Sequence, residues 1–461
     1  MARGRSLHYE KFADGSVKCI EDEIPFELPQ GWEWTRLGVI FSHNTGKALN
    51  SKSQVGNPYT YITTSNLYWN RFELTDLKQM LFTDAELEKC TVKKGDLLVC
   101  EGGDIGRSAI WENDDEIRIQ NHIHKMRPYI KLNIKFYYYV LYLYKHTERI
   151  NGKGIGIQGL SSNQLHSLLF PLPPINEQNI IANKINGYFE YIDFLEKEKS
   201  NLSSAIQATK SKILDFAIRG KLVPQDPNDE PASVLLERIR AEKEELIKQG
   251  KIKRDKRESV IFKGEDNSYY LTTSDNKSYE EQFLFDLPLG WAWCSLNDIA
   301  KIDLGKTLDK AKNTGDYYQY LRSVNVRWGN SDLSDLNEMR FEENELERYR
   351  VQKYDLLICE GGDVGRSCVW TSNNTIYYQN ALHRVRFYKE CNPFFFMYYM
   401  MYYESKGIIK SLCKGVTIKH LTGNVLNTIP FALPPLPEQY RIVTAIETIF
   451  TQLDEISESL S

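Results

Sequence analysis

A chain of 461 residues is too long for one ordinary domain, so two or three are expected. With 41% hydrophobic and 26% charged residues it has the composition of a folded globular protein, and no apolar run approaches the roughly 18 residues that would cross a bilayer. A net charge of -4 is not that of a protein gripping nucleic acid unaided, so such a ligand would need a local basic surface or a partner's help.

Residues 1–6 carry two arginines but no apolar segment follows them, which is not the pattern of a secretory signal. Trp32–Val39 and Asp96–Cys100 are rich in β-formers and are expected to be strands. Leu97-Leu98-Val99-Cys100 is continuously apolar and so predicts burial on both faces. Gly102-Gly103-Asp104 then forces a turn. Ile117–Gln120 predicts a further strand. Phe136–Tyr144 (FYYYVLYLY), like Phe394–Tyr403, is long enough for a helix or two strands, and a buried helix is favoured, its rings core rather than base-stacking platforms. After Pro173-Pro174, apolar residues recur in alternating steps of four and three: Ile181, Ile185, Tyr188, Ile192, Leu195, Leu202, Ile206, Ile213 and Phe216, interrupted by Lys199 and Thr209. That is a coiled-coil seam, and roughly forty residues at about 1.5 Å each make a rod of about 60 Å. Gly220 stops it, Pro224, Pro227 and Pro231 mark a loop, and Ser233–Gly250 predicts a charged amphipathic helix before the basic linker Lys251–Arg257. Tyr377–Gln379 predicts a strand and Phe394–Tyr403 (FFFMYYMMYY) a second aromatic helix. Ile442, Ile446, Ile449, Leu453, Ile456 and Leu460 begin a second seam, expected to pair antiparallel with the first.

The chain is a duplication. Cys100–Ser108 (CEGGDIGRS) returns at Cys359–Ser367 (CEGGDVGRS), an offset of 259 residues. The same offset takes Trp32 to Trp291, Gly46-Lys47 to Gly305-Lys306, Asn66 to Asn325, Gln120-Asn121 to Gln379-Asn380 and His124 to His383. Past a two-residue insertion it takes Leu172-Pro173-Pro174 to Leu433-Pro434-Pro435 and Glu177-Gln178 to Glu438-Gln439. A period this long is a repeated domain, not a solenoid.

Catalytic chemistry finds little support. The Gly-rich loop lacks the spacing and lysine of a phosphate-binding P-loop, and Asp104 would repel phosphate. His122-Ile123-His124 keeps only His383 in the second copy, with no ligand-spaced cluster around it, so no metal site is expected. Glu101 and Asp104 recur as Glu360 and Asp363, but no nucleophile accompanies them and a turn-capping role fits better. The eight cysteines show no CxxC spacing, as expected of reduced thiols in a cytoplasm. The chain has the marks of a reader rather than a catalyst.

Two variable globular regions, each opened by an LPxGW motif (Leu28, Leu287), carrying a GDxGR loop (Asp104, Asp363) and closed by Phe170-Pro171-Leu172-Pro173-Pro174-Ile175-Asn176-Glu177-Gln178 or Phe431-Ala432-Leu433-Pro434-Pro435-Leu436-Pro437-Glu438-Gln439, resemble the DNA-specificity subunit of type I restriction-modification enzymes. The resemblance implies an α+β fold in which two similar target recognition domains are joined by long antiparallel coiled-coil helices. Its boundaries here would be 1–174 for the first recognition domain, 175–257 for the first helical region, 258–435 for the second recognition domain and 436–461 for a short second helical region, in which the last helical segment of the first region has no counterpart. It further implies that each domain reads half of a split, asymmetric site in double-stranded DNA. The helices would space the halves and dock two modification subunits, which methylate adenine with S-adenosylmethionine. Restriction subunits, using ATP and magnesium, would join them. No cofactor is expected on this chain.

Side-chain chemistry nominates the readers. Asn and Gln can bond adenine bidentately, Arg and Lys guanine, and other contacts hold phosphates without reading sequence. The candidates are Lys47, Asn66, Arg107, Asn121, His122, Lys153 and Gln158 in the first copy, and Lys306, Asn325, Arg327, Arg366, Asn380, Lys414 and Lys419 in the second. The helix-pairing candidates are Ile181, Ile185, Ile192, Leu195, Leu202, Ile206 and Ile213 with Ile442, Ile446, Leu453 and Ile456. Two competing readings are a coiled-coil scaffold with protein-binding ends and a single-chain DNA-modifying enzyme.

Overall fold

A computed structural model describes residues 7–50, 55–150, 159–254, 259–273, 277–309, 311, 313–388, 390–413 and 420–460. The chain divides into two compact units, Met1–Glu196 and Lys197–Ser461.

In the first unit, two four-stranded sheets share a core. One is antiparallel, in the order Ser108–Ile110, Leu97–Cys100, Ile123–Pro128, Phe41–Thr45. The other runs Lys78–Phe82, Asn57–Ile62, Ile117–Ile119, Thr91–Val92, with its middle pair parallel. Leu97–Cys100 is the strand with apolar side chains on both faces: Leu97 and Val99 enter the core under the aromatic helix, and Leu98 and Cys100 enter the core between the sheets. The aromatic helix spans Ile134–His146, and Phe136, Tyr137, Tyr138, Leu141 and Tyr144 are buried in it. The expected strand Trp32–Val39 is shorter, Glu33–Arg36. Leu37 and Ile40 are both buried three residues apart, and that spacing is met by a single helical turn, Leu37–Ile40.

The second unit repeats the plan with antiparallel order Ala300–Leu304, Leu382–Phe387, Leu356–Cys359, Ser367–Val369 and mixed order Asn337–Phe341, Asp316–Leu321, Ile376–Tyr378, Arg350–Val351. Its aromatic helix is Pro393–Ser405. It also contains the helix Ala232–Lys248 and the C-terminal helix Leu436–Ser459.

The repeated closing motif has a physical purpose. Glu33–Arg36 pairs antiparallel with Leu169–Leu172, and Ala292–Ser295 with Pro430–Leu433, so each globular fold is shut just before its helix begins. Trp32 Nε1 then donates to the Glu177 carboxylate at 2.8 Å, and Trp291 Nε1 to Glu438 at 3.0 Å. Gln178 accepts from the Asn133 backbone N–H at 2.9 Å and donates to the Pro173 carbonyl at 2.8 Å. Gln439 does the same with Asn392 and Pro434, at 2.9 and 3.0 Å. Each Glu thus ties the start of its helix to the tryptophan before the closing strand pair, and each Gln ties it to the start of the aromatic helix.

The long helix is Ile175–Ile218, 44 residues, against 24 for the C-terminal helix. At about 1.5 Å per residue the shorter helix cannot cover the longer one. Within the second unit, Ile206, Leu214, Ala217 and Ile218 are buried, and Lys210 pairs with Asp454 and lies over the Phe450 ring, while Ile442 and Ile446 are fully buried. Ile213 and Leu453 are half-buried and Ile456 is exposed. Ile181 and Ile185 are half-buried beside the aromatic helix of the first unit. From Tyr188 to Ala205 every side chain is exposed, Ile192, Leu195 and Leu202 among them.

Candidate nucleic-acid interface

The GGDxGR segment is a tight turn between two strands of the antiparallel sheet. In the first copy Cys100 N donates to Arg107 O at 2.8 Å, Gly106 N to Cys100 O at 3.0 Å and Arg107 N to Asp104 O at 3.1 Å. In the second the matching distances for Cys359, Gly365 and Arg366 are 2.8, 2.9 and 3.1 Å. Gly103 and Gly106 sit at φ 72° and 82°, the left-handed region glycine adopts without strain. A Cβ on Gly106 would meet Ile150, and one on Gly365 would meet Ile409 at 2.4 Å.

The arginine that ends this turn points back into the protein. Arg107 Nη2 donates to the Thr64 carbonyl at 2.7 Å, and its guanidinium lies over the Tyr68 ring. Arg366 Nη2 donates to the Ser323 carbonyl at 2.9 Å and pairs with Asp363. Each arginine pins a small hairpin, Leu67–Tyr68 with Arg71–Phe72 or Val326–Arg327 with Asn330–Ser331, against the glycine turn. Asn66 and Asn325 hold the other side of that hairpin. Asn66 Oδ1 accepts from Thr63 N at 2.9 Å and its Nδ2 donates to Glu73 O at 3.0 Å. Asn325 repeats this with Arg322 N and Asp332 O, at 2.9 and 3.0 Å.

Lys47 and Lys306 are likewise engaged. Lys47 Nζ donates to the Leu81 carbonyl at 2.8 Å and to Glu86 at 2.7 Å, and Lys306, nearly buried, pairs with Glu345. Their backbones bridge to Gln120 and Gln379, and Asn121 N donates to Lys47 O at 2.8 Å, as Asn380 N does to Lys306 O at 2.9 Å. The Asn380–Ala381 peptide is cis. His122 has φ 72°, its side chain is 61% exposed, and its Nδ1 is 3.6 Å from the Glu101 carboxylate. Glu101 N in turn donates to His122 O at 2.8 Å. One hydrogen-bonded network therefore links Lys47, Asn121, His122 and Glu101, and the strand end at Cys100 carries it to Arg107 and Asn66. The second copy rebuilds the network with Lys306, Asn380, Glu360, Arg366 and Asn325.

Exposure separates these residues. Lys47, Asn66 and Arg107, with Lys306, Asn325 and Arg366, spend their polar atoms on neighbouring main chain and carboxylates. His122 and Arg327, the latter 53% exposed with Asp332 at 3.4 Å, present theirs outward. Asn121 and Asn380 are half-buried. Lys153, Gln158, Lys414 and Lys419 lie outside the described residues. Sequence reasoning missed the acidic partners of the lysines, although Glu86 and Glu345 stand 259 residues apart like Lys47 and Lys306 and so could have been found. It also missed Tyr68, whose ring carries Arg71 and Arg107, and whose counterpart is Arg327.

Beneath the turn, His124 Nε2 is 2.7 Å from the Leu160 carbonyl and its Nδ1 is 2.7 Å from His43 Nε2. Burial, then the neighbouring His124 and His166, lowers the His43 pKa to about 4, so the group is neutral. Burial raises Cys100 and Cys359 to about 11, which removes them as nucleophiles near neutral pH. Among the described residues no three or more His, Cys, Asp or Glu are placed to hold a metal ion, and no helix is long and apolar enough to cross a membrane.

Comparison with known proteins agrees with this doubled architecture. The family described as the type I restriction modification DNA specificity domain matches residues 29–204 and again 288–460. The Escherichia coli type I restriction enzyme EcoEI specificity subunit is 26% identical over 96% of this chain and 82% of its own length. The EcoAI specificity subunit of the same organism is 25% identical over 95% and 80%. The HsdS subunit from Thermoanaerobacter tengcongensis superposes with a TM-score of 0.53 at 16% identity, covering 95% of this chain and 94% of that one. A chain from a structural study of assembly and conformational transition in a type I R-M system superposes with a TM-score of 0.63, also at 16% identity, with the same coverage. Two copies of one DNA-specificity domain, each closed by its own Glu-Gln tie to a long helix, place the chain in the type I restriction-modification DNA specificity family.

Proposed function

We propose that this chain is the non-catalytic DNA-reading subunit of a type I restriction-modification complex, and that its two repeats read the two unlike halves of a bipartite site in double-stranded DNA. The observation that carries this reading is where the two copies differ. Their pins are the same: Lys47 and Lys306, Asn66 and Asn325, Arg107 and Arg366, Asn121 and Asn380. The residues these pins support are not: Ser65 faces Val324, Tyr68 faces Arg327, Asn70 faces Gly329 and His122 faces Ala381. An unchanged frame holding changed tips is what two different half-sites require.

In this reading Lys47, Asn66, Arg107, Asn121, Lys306, Asn325, Arg366 and Asn380 set the shape and pose of the interface. His122, Lys153, Gln158, Arg327, Lys414 and Lys419 reach bases or phosphates. Recognition domains at 1–174 and 258–435 are spaced by helical regions at 175–257 and 436–461. The exposed seam from Tyr188 to Leu202 is too apolar to face water in the working complex, and it docks modification subunits. Two such subunits supply S-adenosylmethionine chemistry, restriction subunits supply ATP- and magnesium-dependent chemistry, and this chain supplies no cofactor. The assembly works in the cytoplasm, and partner surfaces offset the acidic net charge of -4. The test is selection from a random duplex library by the full chain purified with its modification subunit. Two short constant blocks at a constant spacing are expected. Enrichment of a single block, or none from a stable complex, refutes the two-half reading.

A further inference from the structure

In the second unit a cavity of about 540 Å³ lies between the aromatic helix and the helix Leu436–Ser459, bounded also by the hairpin tip Trp328-Gly329 and by the long helix near Lys210. Its apolar wall is made of the rings of Trp328, Phe394, Tyr398 and Phe450 and the thioethers of Met397 and Met401. Its charged groups are Glu404, Glu447, Asp454 and one cation, Lys210. Lys210 shows how this cavity holds an ammonium: it pairs with Asp454, and its Nζ lies 5.0 Å from the centroid of the Phe450 ring. A carboxylate and a ring face together stabilise an alkylammonium more than either does alone.

The same pieces stand unoccupied one step along the helix. Glu447, Phe450 and Asp454 share one helix face, so Glu447 lies about 10 Å from Asp454 along the axis with the Phe450 ring between them. Tyr398 is buried edge-on to Phe450, ring centroids 5.9 Å apart. Burial, then the nearby Glu447 carboxylate, pushes the Tyr398 phenol up. Glu447 has no ion pair among the described residues, and partial desolvation raises its pKa. Glu404 has Lys410 at 3.4 Å.

The matching cavity of the first repeat, about 530 Å³, carries a different charge pattern on the same frame. The repeat offsets pair Trp69 with Trp328, Tyr139 with Tyr398, Phe189 with Phe450 and Asp193 with Asp454. Around them Arg71, Lys135 and Lys145 become Asn330, Phe394 and Glu404, Asn186 becomes Glu447, and Glu190 becomes Thr451. Three cations and two acids thus give way to three acids. Tyr138 and Tyr142 become Met397 and Met401, whose methyls lie 4.0 and 3.8 Å from where a Cβ on Gly329 would stand. The second cavity has shed the cations, gained carboxylates, kept its rings and acquired flexible apolar side chains, which fits a positively charged guest with an aliphatic body.

We propose that the second-repeat cavity binds a small aliphatic polyamine. One ammonium sits on Glu447 against the Tyr398 and Phe450 rings, and the methylene chain runs over Met397 and Met401 toward the hairpin tip. The volume lies within the roughly 300–1,000 Å³ of small-molecule sites. The ligand class follows from Lys210, a primary ammonium on an alkyl stem that the cavity already holds. The inference stands on the cavity and does not depend on what DNA is read.

The probe is spermidine, titrated calorimetrically into the full chain freed of nucleic acid, at near-physiological salt. Saturable one-to-one binding is expected. Glu447→Gln, at an exposed position where the fold is not at risk, weakens it at least tenfold. Glu280→Gln, at an exposed carboxylate of the strand Ser278–Glu281, and Asp193→Asn in the first-repeat cavity leave it unchanged. Absence of saturable binding overturns the proposal. So does binding that is lost equally in Glu447→Gln and Glu280→Gln, or that magnesium ion displaces at equal charge, because spermidine would then be drawn by the net charge of -4 alone.

Discussion

Replacing Gln439 with methionine keeps the length and volume of a fully buried side chain and removes only its hydrogen bonds. The Asn392 N–H at 2.9 Å and the Pro434 carbonyl at 3.0 Å both lose their partner in a buried site. An unpaired buried polar group costs about 1–3 kcal/mol, so two cost about 2–6 kcal/mol, and the apolar thioether recovers about 1 kcal/mol of that. A net loss of about 1–5 kcal/mol lowers the melting midpoint of a domain of this size by roughly 2–20 °C. Asn392 also caps the aromatic helix, its Oδ1 accepting from Phe394 N at 3.0 Å, so the loosened segment is the one that sets the pose of the repeat on its helix. Calorimetry of the full chain is the assay, with the transitions of the two units followed separately because a multidomain chain need not unfold in one step. Gln439→Met lowers the transition of the second unit and Gln178→Met that of the first. A shift below about 1 °C for both would refute the view that the repeated Glu-Gln motif is a hydrogen-bonded tie, since one lost buried bond alone exceeds it.

Arg107→Ala frees the hairpin at Thr64 and relaxes recognition of one half-site only, scored by sequencing the modified bases; equal loss at both halves in a folded protein contradicts the assignment of one repeat to one half. Gly106→Ala places a side chain at φ 82° against Ile150 and costs at least about 1–2 kcal/mol in melting experiments, whereas Gly102→Ala, with open space around its Cβ, is neutral. The His43 pKa of about 4 lies below the usual value of about 6.5, so between those values the unfolded chain binds the extra proton and stability falls as pH falls. His43→Ile, which installs the residue found at the matching position 302, flattens the melting midpoint of the first unit between pH 6.5 and 5, and an unchanged slope would contradict the shift. Arg384→Met leaves Asp303 without the guanidinium at 2.7 Å and destabilises the second unit by about 3–5 kcal/mol, measured by the same calorimetry.

The sequence made the frame legible wherever one side chain's environment decides its identity. The run Leu97–Cys100 reads as a strand buried on both faces, and it is one; the two aromatic segments are long enough for a helix or two strands by length alone, and the structure makes each a buried helix. The repeat offset exposed the domain duplication directly. Periodicity was less informative about the long helix: steps of four and three define an apolar face but not its occupant, and the face is covered near Ile206–Ile218 yet open from Tyr188 to Ala205. The surroundings of the candidate residues were not legible. Arg107 and Asn66 were singled out for their donors, and what they bond is main chain, at Thr64 and Glu73. A carbonyl 43 positions away leaves no mark in composition or spacing. The carboxylates facing Lys47 and Lys306 did leave one, since both copies carry Glu at the same offset.

The central claim is that each repeat reads one half of a split site, and exchanging one hairpin tests it most directly. Residues 64–71 of the first repeat are replaced by residues 323–330 of the second, and the chain is co-expressed with its modification subunit in a host free of adenine methylation. The genome is then sequenced with detection of modified bases. The account predicts that the native chain marks a two-part motif with methyladenine in each half, and that the exchange alters one half while the other half and the spacing stay fixed. A motif altered in both halves, or a single continuous motif from the native chain, would contradict it.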